Sequence, residues 1–363
     1  MAISPERFSL DAPTLQSDPI DFFNMEIEEA EERLGSLLGK KFHGKSFVSF
    51  VYKHRITDPM LMSSLPTAMR PMLVGRVNIA PLPVVRKMVS KDGTVKFLLQ
   101  VQTLKGPQEI ECVYIPEEDR VTLCVSSQVG CKMACKFCLT AQLGFKAHLS
   151  AGDIVRQIWT VEQDPELRKI TNIVFMGMGE PFDNFEEVKK ATRLLTHASG
   201  FEKSAKRITV STVGNVEKIN MLKKSDPFRL AVSLNATTDE IRSRIMPINL
   251  KWNIAELMDA CRHYSQRTNK RVTFEYILMK GVSDTMEDAQ RLSKLTSQVS
   301  CKINLIPYNE SPFTEFKRPS DEQIQKFHSY MLRQDNAVFI RKNRGNDIYA
   351  ACGMLRKVAP DPA

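Results

Sequence analysis

From residue 121 onward the chain alternates short β-type runs with amphipathic helical stretches, and this alternation constrains the fold more than any other feature. VTLCVSS (121–127), NIVFMG (172–177), RITVST (207–212), RLAVSL (229–234), RVTFEYIL (271–278) and KINLIP (302–307) read as strands. Helical patterns near 151–163, 184–198, 253–267 and 285–299 lie between them. Ser150-x-x-Asp153, Asn184-x-x-Glu187 and Thr237-x-x-Glu240 have the form of helix starts. Strand–helix alternation implies parallel strands joined by right-handed crossovers. Six such strands fall short of a closed eight-fold barrel, so the expected fold is α/β, an open partial (β/α)6 barrel over residues 121–357. Folds of this kind carry their chemistry in the loops that follow the C-terminal ends of the strands.

The part before the barrel divides by composition. Residues 1–24 are polar and proline-punctuated and are expected to form a loose extension. Helices are expected over 25–39, 45–55 and about 66–74, making a small accessory domain over 25–75. Lys40, Lys41, Lys45, Lys53 and Arg55 make it basic, which suits either contact with RNA or a solvated helix face. From 76 to 120 the pattern turns to period two. VVRKMVS, Lys91-Asp92-Gly93 and TVKFLLQV form a hairpin signal with an Asp-Gly turn, and IECVYIP (110–116) follows. The formal net charge is +9, and residues 1–35 hold nine acids against two bases, so the rest of the chain carries +16. A surplus of that size suits a polyanionic partner, most simply nucleic acid, or an ordinary basic surface.

The loop after the first core strand holds Cys131, Cys135 and Cys138 at CxxxCxxC spacing, with Cys124 seven residues upstream. Thiolates this closely spaced in a loop suit a soft metal, and zinc and iron–sulfur clusters are both candidates. A structural zinc site wants four ligands, whereas the local count stops at three. Three thiolates on a cubane cluster leave one iron with an open position. Eight cysteines in 363 residues are too sparse for a secreted disulfide scaffold. Clustered thiols that must stay reduced place the protein in the cytoplasm. No apolar run reaches transmembrane length, and MAISPERFSLDAP lacks a signal-peptide pattern.

Other polar residues fall at successive strand ends. Gly177, Gly179 and Glu180 follow the second core strand, in a loop where glycines let backbone amides approach a ligand and Glu180 can accept from an amine. Ser211 ends the third strand, Ser233-Leu234-Asn235 the fourth, and Asn309 follows the sixth. Each alone reads as a cap or turn residue, and as a set around one loop they read as a small-molecule pocket. Glu111 alternates with Cys112, so one of the two is expected to face inward, and an inward carboxylate can serve as a base. Cys352 lies between Gly345 and Gly353, which suits a flexible loop with an exposed thiol, or else a small buried hydrophobe. Cys112, Cys261 and Cys301 fall inside strand or helix patterns and read as core residues.

The ordered set Cys124-VSSQVG-CKMACKFCLTAQLGF, MGMGEP, ITVSTVG, SLNATTDEIRSRIMPIN, INLIPYN and RGNDIYAACG resembles the RlmN/Cfr family of radical S-adenosylmethionine (SAM) RNA methyltransferases, over about residues 36–356. The resemblance implies a radical SAM barrel in which Cys131, Cys135 and Cys138 hold a [4Fe–4S] cluster. Gly179, Glu180, Ser211, Ser233, Leu234, Asn235 and Asn309 would line the SAM site. It also implies that Cys352 carries a methyl group taken from a first SAM, that a second SAM supplies the radical, that Glu111 is the base and that Cys124 is the resolving thiol. The electron-poor carbon 2 of adenine does not attack the methyl group of SAM directly, which is why a radical route with two extra cysteines is needed. The RlmN branch acts on carbon 2 of an adenine in 23S rRNA, some members also on an adenine of tRNA. An external electron donor such as a flavodoxin-type reductase, no membrane and a monomeric state are further expectations.

Two positions depart from the family pattern. Asn235 stands where His is expected, and Met354 where Gln is expected. Two other readings stay open at this stage: the same chemistry at carbon 8, as in the Cfr branch, and a non-catalytic, zinc-containing RNA-binding protein.

Overall fold

The alternation of apolar and polar residues within each core strand decides how the sheet is covered. The computed structural model describes residues 19–334 and 337–355. The expected extension over 1–18 and the last expected core residues, 356–357, lie outside the described residues. Strands β1 (Ile20–Asp21) and β2 (Val77–Asn78) pair with each other. β3 (Val84–Val89), β4 (Val95–Thr103), β5 (Gly106–Pro116) and β6 (Val121–Cys124) form an antiparallel run. β7 (Gln128–Gly130) and β8 (Phe145–His148) make a separate hairpin that brackets the cysteine loop. β9 (Asn172–Phe175), β10 (Ile208–Thr212), β11 (Arg229–Ser233), β12 (Val272–Leu278), β13 (Cys301–Pro307) and β14 (Val338–Ile340) continue from β6 as parallel neighbours in chain order.

The parallel part of the sheet thus has the six expected strands and a seventh, β14, whose three residues are too few to show a pattern in sequence. Register shows which residues share a face. Cys124 opposes Val174, Val174 opposes Thr209, Ser211 opposes Ala231, Ser233 opposes Glu275, and Glu275 opposes Asn304. The other face carries Leu123, Ile173, Phe175, Ile208, Val210, Leu230, Val232, Phe274, Tyr276, Ile303 and Leu305, all at most 1 % exposed. Side chains alternate across a strand, so the helices cover the apolar face and the polar face turns inward. The sheet curls round that inner face. Arg341, just after β14, places Nη1 3.7 Å from Sδ of Met176, just after β9, although four strands separate them.

The covering helices include α4 (Ala151–Val161), α5 (Phe185–Thr196), α8 (Ile254–Thr268), α9 (Met286–Thr296) and α10 (Asp321–Arg333), with short α3 (Leu139–Gln142), α6 (Val216–Met221) and α7 (Asp239–Ile245) in the loops. Ser150 caps α4 as its sequence suggests. The other two proposed starts are corrected. Asn184 gives no cap and donates instead to the carbonyls of Ser127 and Leu149. Thr238 rather than Thr237 caps α7, because the Thr237 hydroxyl bonds Asp288 at 2.7 Å.

Helices α1 (Ile27–Leu37) and α2 (Lys41–Tyr52) occupy the expected accessory region. They approach closely at Gly44, where a Cβ would lie 2.0 Å from the Glu31 carbonyl oxygen. The third expected helix, 66–74, is absent as an α-helix. The region forms 3₁₀ turns at Pro59–Leu61 and Arg70–Met72, since the prolines withhold the amide donors that helix propagation needs. Residues 20–24 are also not a loose extension: Phe22 and Phe23 are fully buried. Phe23 packs against Tyr52 and Trp159, with ring centroids 5.9 and 5.2 Å away, and so joins α2 to α4. Among the described residues no helix is long and apolar enough to cross a membrane.

Because Phe23 is fully buried where these elements meet, Phe23→Ala is expected to destabilise the protein by about 3–5 kcal/mol, read as a lower urea midpoint. A loss below about 1 kcal/mol would show that the segment is only laid against the core.

Candidate active site

A cleft of about 960 Å³, open mouth included, lies at the C-terminal ends of the parallel strands. Cys131, Cys135 and Cys138 line one side, and Cys352 and Gly353 close another. Backbone bonds hold the two cysteine-bearing segments together. Leu139 N–H donates to the Gly353 carbonyl at 2.7 Å, and the Asn309 amide donates to the Cys352 carbonyl at 3.4 Å. The hairpin β7–β8 fixes the start of the cysteine loop through Cys131 N–H on the Gly144 carbonyl, 3.0 Å.

Burial is the main influence on these thiols. It pushes Cys131 up to about 12 and Cys135 well above the usual thiol range, and raises Cys138 despite hydrogen bonds from Ala141 and Thr140. Cys131 and Cys135 each also feel the charge of Cys138. Among the described residues, no three His, Cys, Asp or Glu side chains close on one point as a lone metal ion requires. A cubane cluster has its irons at separate corners, so three thiols around one cavity suit it better than the tight four-ligand cage of zinc.

The strand-end residues separate into those at the cleft and one that is not. Gly179, Glu180, Ser211, Ser233, Asn235 and Asn309 line it. Leu234 does not: its side chain is fully buried in the core, and it contributes backbone only, accepting from Arg242 Nε at 3.0 Å. Gly179 has φ +103°, and a Cβ there would fall 2.6 Å from Cβ of Gln128, so the loop's path requires glycine. Glu180 accepts from Phe182 N–H and Val213 N–H at 3.0 and 2.9 Å, which ties the loop after β9 to the loop after β10. Burial raises its carboxyl to about 7. Asn309 Oδ1 and Glu275 Oε2 are buried with no hydrogen-bond partner among the described residues. Both residues line the cleft, so these acceptors are available to a ligand with N–H or O–H groups.

Cys124 and Cys352 are neighbours. Burial pushes the Cys124 thiol up to about 12, and the charge of Cys352 adds to the shift. The charge of Cys352 first, against burial, and then those of Glu275 and Cys124 raise the Arg341 guanidinium above its usual range. Glu111 is 1 % exposed, yet Cys112 is fully buried too. Both are covered because β5 is buried on each face, and of the two it is Glu111 that faces inward, on the face shared with Val113 and Cys124. Glu111 does not line the cleft itself. It forms an ion pair with Lys96 at 2.9 Å.

Sequence reasoning missed Arg242, Glu275, Arg341 and Lys96. Arg242 is fully buried and donates to the carbonyls of Val213, Ser233 and Leu234 and to Asn249 Oδ1, over 2.7–3.1 Å. It therefore fixes two strand ends at once. An arginine in an amphipathic run carries no sign of this. The alternation of Glu275 with Phe274 and Tyr276 in β12 is the one signal available for that residue.

A folded-state value near 7, above the ordinary 4.5, means the fold favours protonated Glu180. Its contribution to stability therefore falls as pH rises through that window, by roughly 3 kcal/mol in all. Glu180→Gln carries no charge and is expected to lack this decline. Urea unfolding of both cluster-free proteins at about pH 5 and about pH 8 measures the difference, and parallel behaviour would refute it.

Comparisons with known proteins agree with this geometry. The Radical SAM superfamily matches residues 125–292. The chain is 42 % identical to "Dual-specificity RNA methyltransferase RlmN" of Bdellovibrio bacteriovorus, over 99 % of this chain and 90 % of that protein. It is 43 % identical to the protein of the same name from Geobacter sulfurreducens, over 93 % of this chain and 92 % of that one. The crystal structure of a radical SAM methyltransferase from Sphaerobacter thermophilus superposes with a TM-score of 0.87 at 40 % identity, covering 93 % of this chain and 99 % of that one.

Proposed function

The chain belongs to the RlmN family of radical SAM RNA methyltransferases, and from that premise we propose that it methylates carbon 2 of an adenine in the peptidyl-transferase centre of 23S rRNA, and an adenine of tRNA, through a methylated Cys352. The observation that carries the reading is that Cys352 lines the same cleft as the three loop cysteines and lies near enough for its charge to act on buried Cys124. A structural cysteine pair has no need of such a position. The relatives' names, with their two RNA classes, support the second substrate.

Cys131, Cys135 and Cys138 would hold the [4Fe–4S] cluster. Glu180, Ser211, Ser233, Asn235 and Asn309 would hold SAM, with Gly179 giving the backbone room. A first SAM would supply the methyl group, and the cluster with a second SAM would supply one-electron cleavage and a hydrogen-abstracting radical. Cys352 would carry that methyl on its sulfur. After loss of one hydrogen atom the methylene carbon bonds directly to carbon 2, so that an S–CH2 bridge ties the base to Cys352, and the electron left on the ring would pass to the cluster. Glu111 removes the ring proton. Cys124 then attacks the sulfur of Cys352, the carbon–sulfur bond breaks, and the methylated base leaves a Cys124–Cys352 disulfide behind. Arg341 keeps a positive charge within reach of both cysteines during the exchange. An external reductant of flavodoxin type returns the disulfide to thiols. The target base must leave its stack to enter the cleft.

Exposed Lys40, Lys41, Phe42 and Lys45 at the start of α2 offer cations and an aromatic face to RNA. Together with the +16 body this predicts binding that weakens as salt rises. A cytoplasmic location follows from these substrates.

With anaerobically reconstituted protein, SAM, a reductant and a 23S rRNA fragment, the expected product is 2-methyladenosine, identified by mass spectrometry of the digested RNA. 8-Methyladenosine would move the protein to the Cfr-type reaction, and no methylated adenosine with the cluster intact would sink the rRNA assignment. Cys352→Ala is expected to abolish transfer, and Cys124→Ala to trap a covalent protein–RNA adduct. Normal turnover by Cys124→Ala would end the two-thiol scheme.

A further inference from the structure

Lys96 on β4 is fully buried, an unusual place for an ammonium group, which must be paired there to remain charged. Its Nζ lies 2.9 Å from Glu111 Oε1 on β5, and it donates to the Tyr349 carbonyl at 3.2 Å. Tyr349 precedes Cys352 by three residues and has φ +51°. One ammonium group therefore touches both the carboxylate read as the base and the loop that carries the reacting thiol.

Register puts these groups on the cleft's face of the sheet. Lys96 opposes Val113, and Val113 opposes Cys124, while Glu111 opposes Leu98. Lys96, Glu111 and Cys124 thus share the inner face, with Lys96 and Glu111 as diagonal neighbours. The β3–β4 turn next to Lys96 holds the same loop from outside. Asp92 Oδ2 accepts from Gly345 N–H at 2.9 Å, and Asp347 accepts from Ser90 Oγ and Lys91 N–H at 2.5 and 3.1 Å. The turn binds the loop's start and Lys96 binds it close to the thiol.

We propose that Lys96 is a positioning residue that locks the Glu111 carboxylate and the Cys352 loop into one unit, so that the base meets the ring only when Cys352 holds it. The inference rests on reading Glu111 as the base and Cys352 as the methyl carrier. A buried carboxylate without a partner would be held as the neutral acid, and a neutral acid cannot take the ring proton. Lys96 supplies the missing charge without entering the cleft, which it does not line. It acts through Glu111, after Cys352 has been methylated and attached to the RNA.

The test compares wild type, Glu111→Gln, Lys96→Met and the double variant as reconstituted holoenzymes with a 23S rRNA fragment. Three quantities are read: methyl on Cys352 by intact mass, covalent protein–RNA adduct on a denaturing gel, and methyladenosine. Lys96→Met is expected to methylate Cys352 normally, accumulate adduct as Glu111→Gln does, and lose product by about 100-fold or more. The double variant is expected to be no worse than Glu111→Gln, as for residues that act as one unit. Lys96→Gln, uncharged but still able to donate, must stall in the same way, and it decides the matter should Lys96→Met not fold. Product within about threefold of wild type from either Lys96 variant, with Glu111→Gln stalled, overturns the inference alone. So does loss of Cys352 methylation together with the adduct, which would make Lys96 a prop for the loop. Normal product from Glu111→Gln overturns the base assignment itself, and the inference with it.

Discussion

Every functional group in this protein is placed by one packing requirement, that the parallel strands bury their apolar side chains under the helices. With Phe175, Val210, Val232, Phe274 and Leu305 committed to that face, the intervening residues have no choice but to point into the curl of the sheet. Met176, Ser211, Ser233, Glu275 and Arg341 reach the cleft for this reason. A slip of one residue in β12 would exchange its faces and bury Glu275 under a helix. The site is held in register by the same hydrophobic free energy that holds the fold, and Arg242 completes it by binding the ends of β10 and β11 through their carbonyls.

The cost of this arrangement is that the inner face must hold charges in a dry place. Lys96 pairs with Glu111, Arg341 feels the charges of Cys352, Glu275 and Cys124, and Glu180 accepts from backbone amides. The cysteine loop is different. Burial raises all three of its thiols above the usual range, and a metal bound by thiolates there would release protons on binding.

The sequence made the cysteine loop legible because its three thiols are near neighbours in the chain, and made the strands legible because their period is short. What it hid depends on distant pairing. Lys96 and Arg341 gain meaning only when β4 and β14 are set beside strands far away in sequence. Phe22 and Phe23 look like part of a polar leader until Tyr52 and Trp159 arrive to cover them. Leu234 shows the opposite failure. It belongs to the run that ends β11, yet strand alternation turns its side chain away from the cleft and leaves only its backbone near the site. The helix expected over 66–74 does not form because Pro66 and Pro71 withhold amide donors from it.

The two departures from the family pattern follow the same logic of packing. Asn235 has φ +57°, a conformation that Asn and His both adopt more readily than most residues. Its Oδ1 accepts from Ile277 N–H at 3.1 Å, and it is 1 % exposed, so the amide ties the end of β11 to β12 while facing the cleft. An imidazole nitrogen can accept in the same way, but it brings a titratable proton into a site that already holds a carboxyl near 7 in Glu180. Asn keeps the backbone bond without that proton. Met354 lies 4 % exposed against Leu139 and Ala351, where an amide would need partners that this small apolar cluster does not provide. Leu139 is also the residue whose N–H holds the Gly353 carbonyl, so a thioether at 354 adds apolar contact at the point where the loop carrying Cys352 meets the loop carrying Cys131, Cys135 and Cys138.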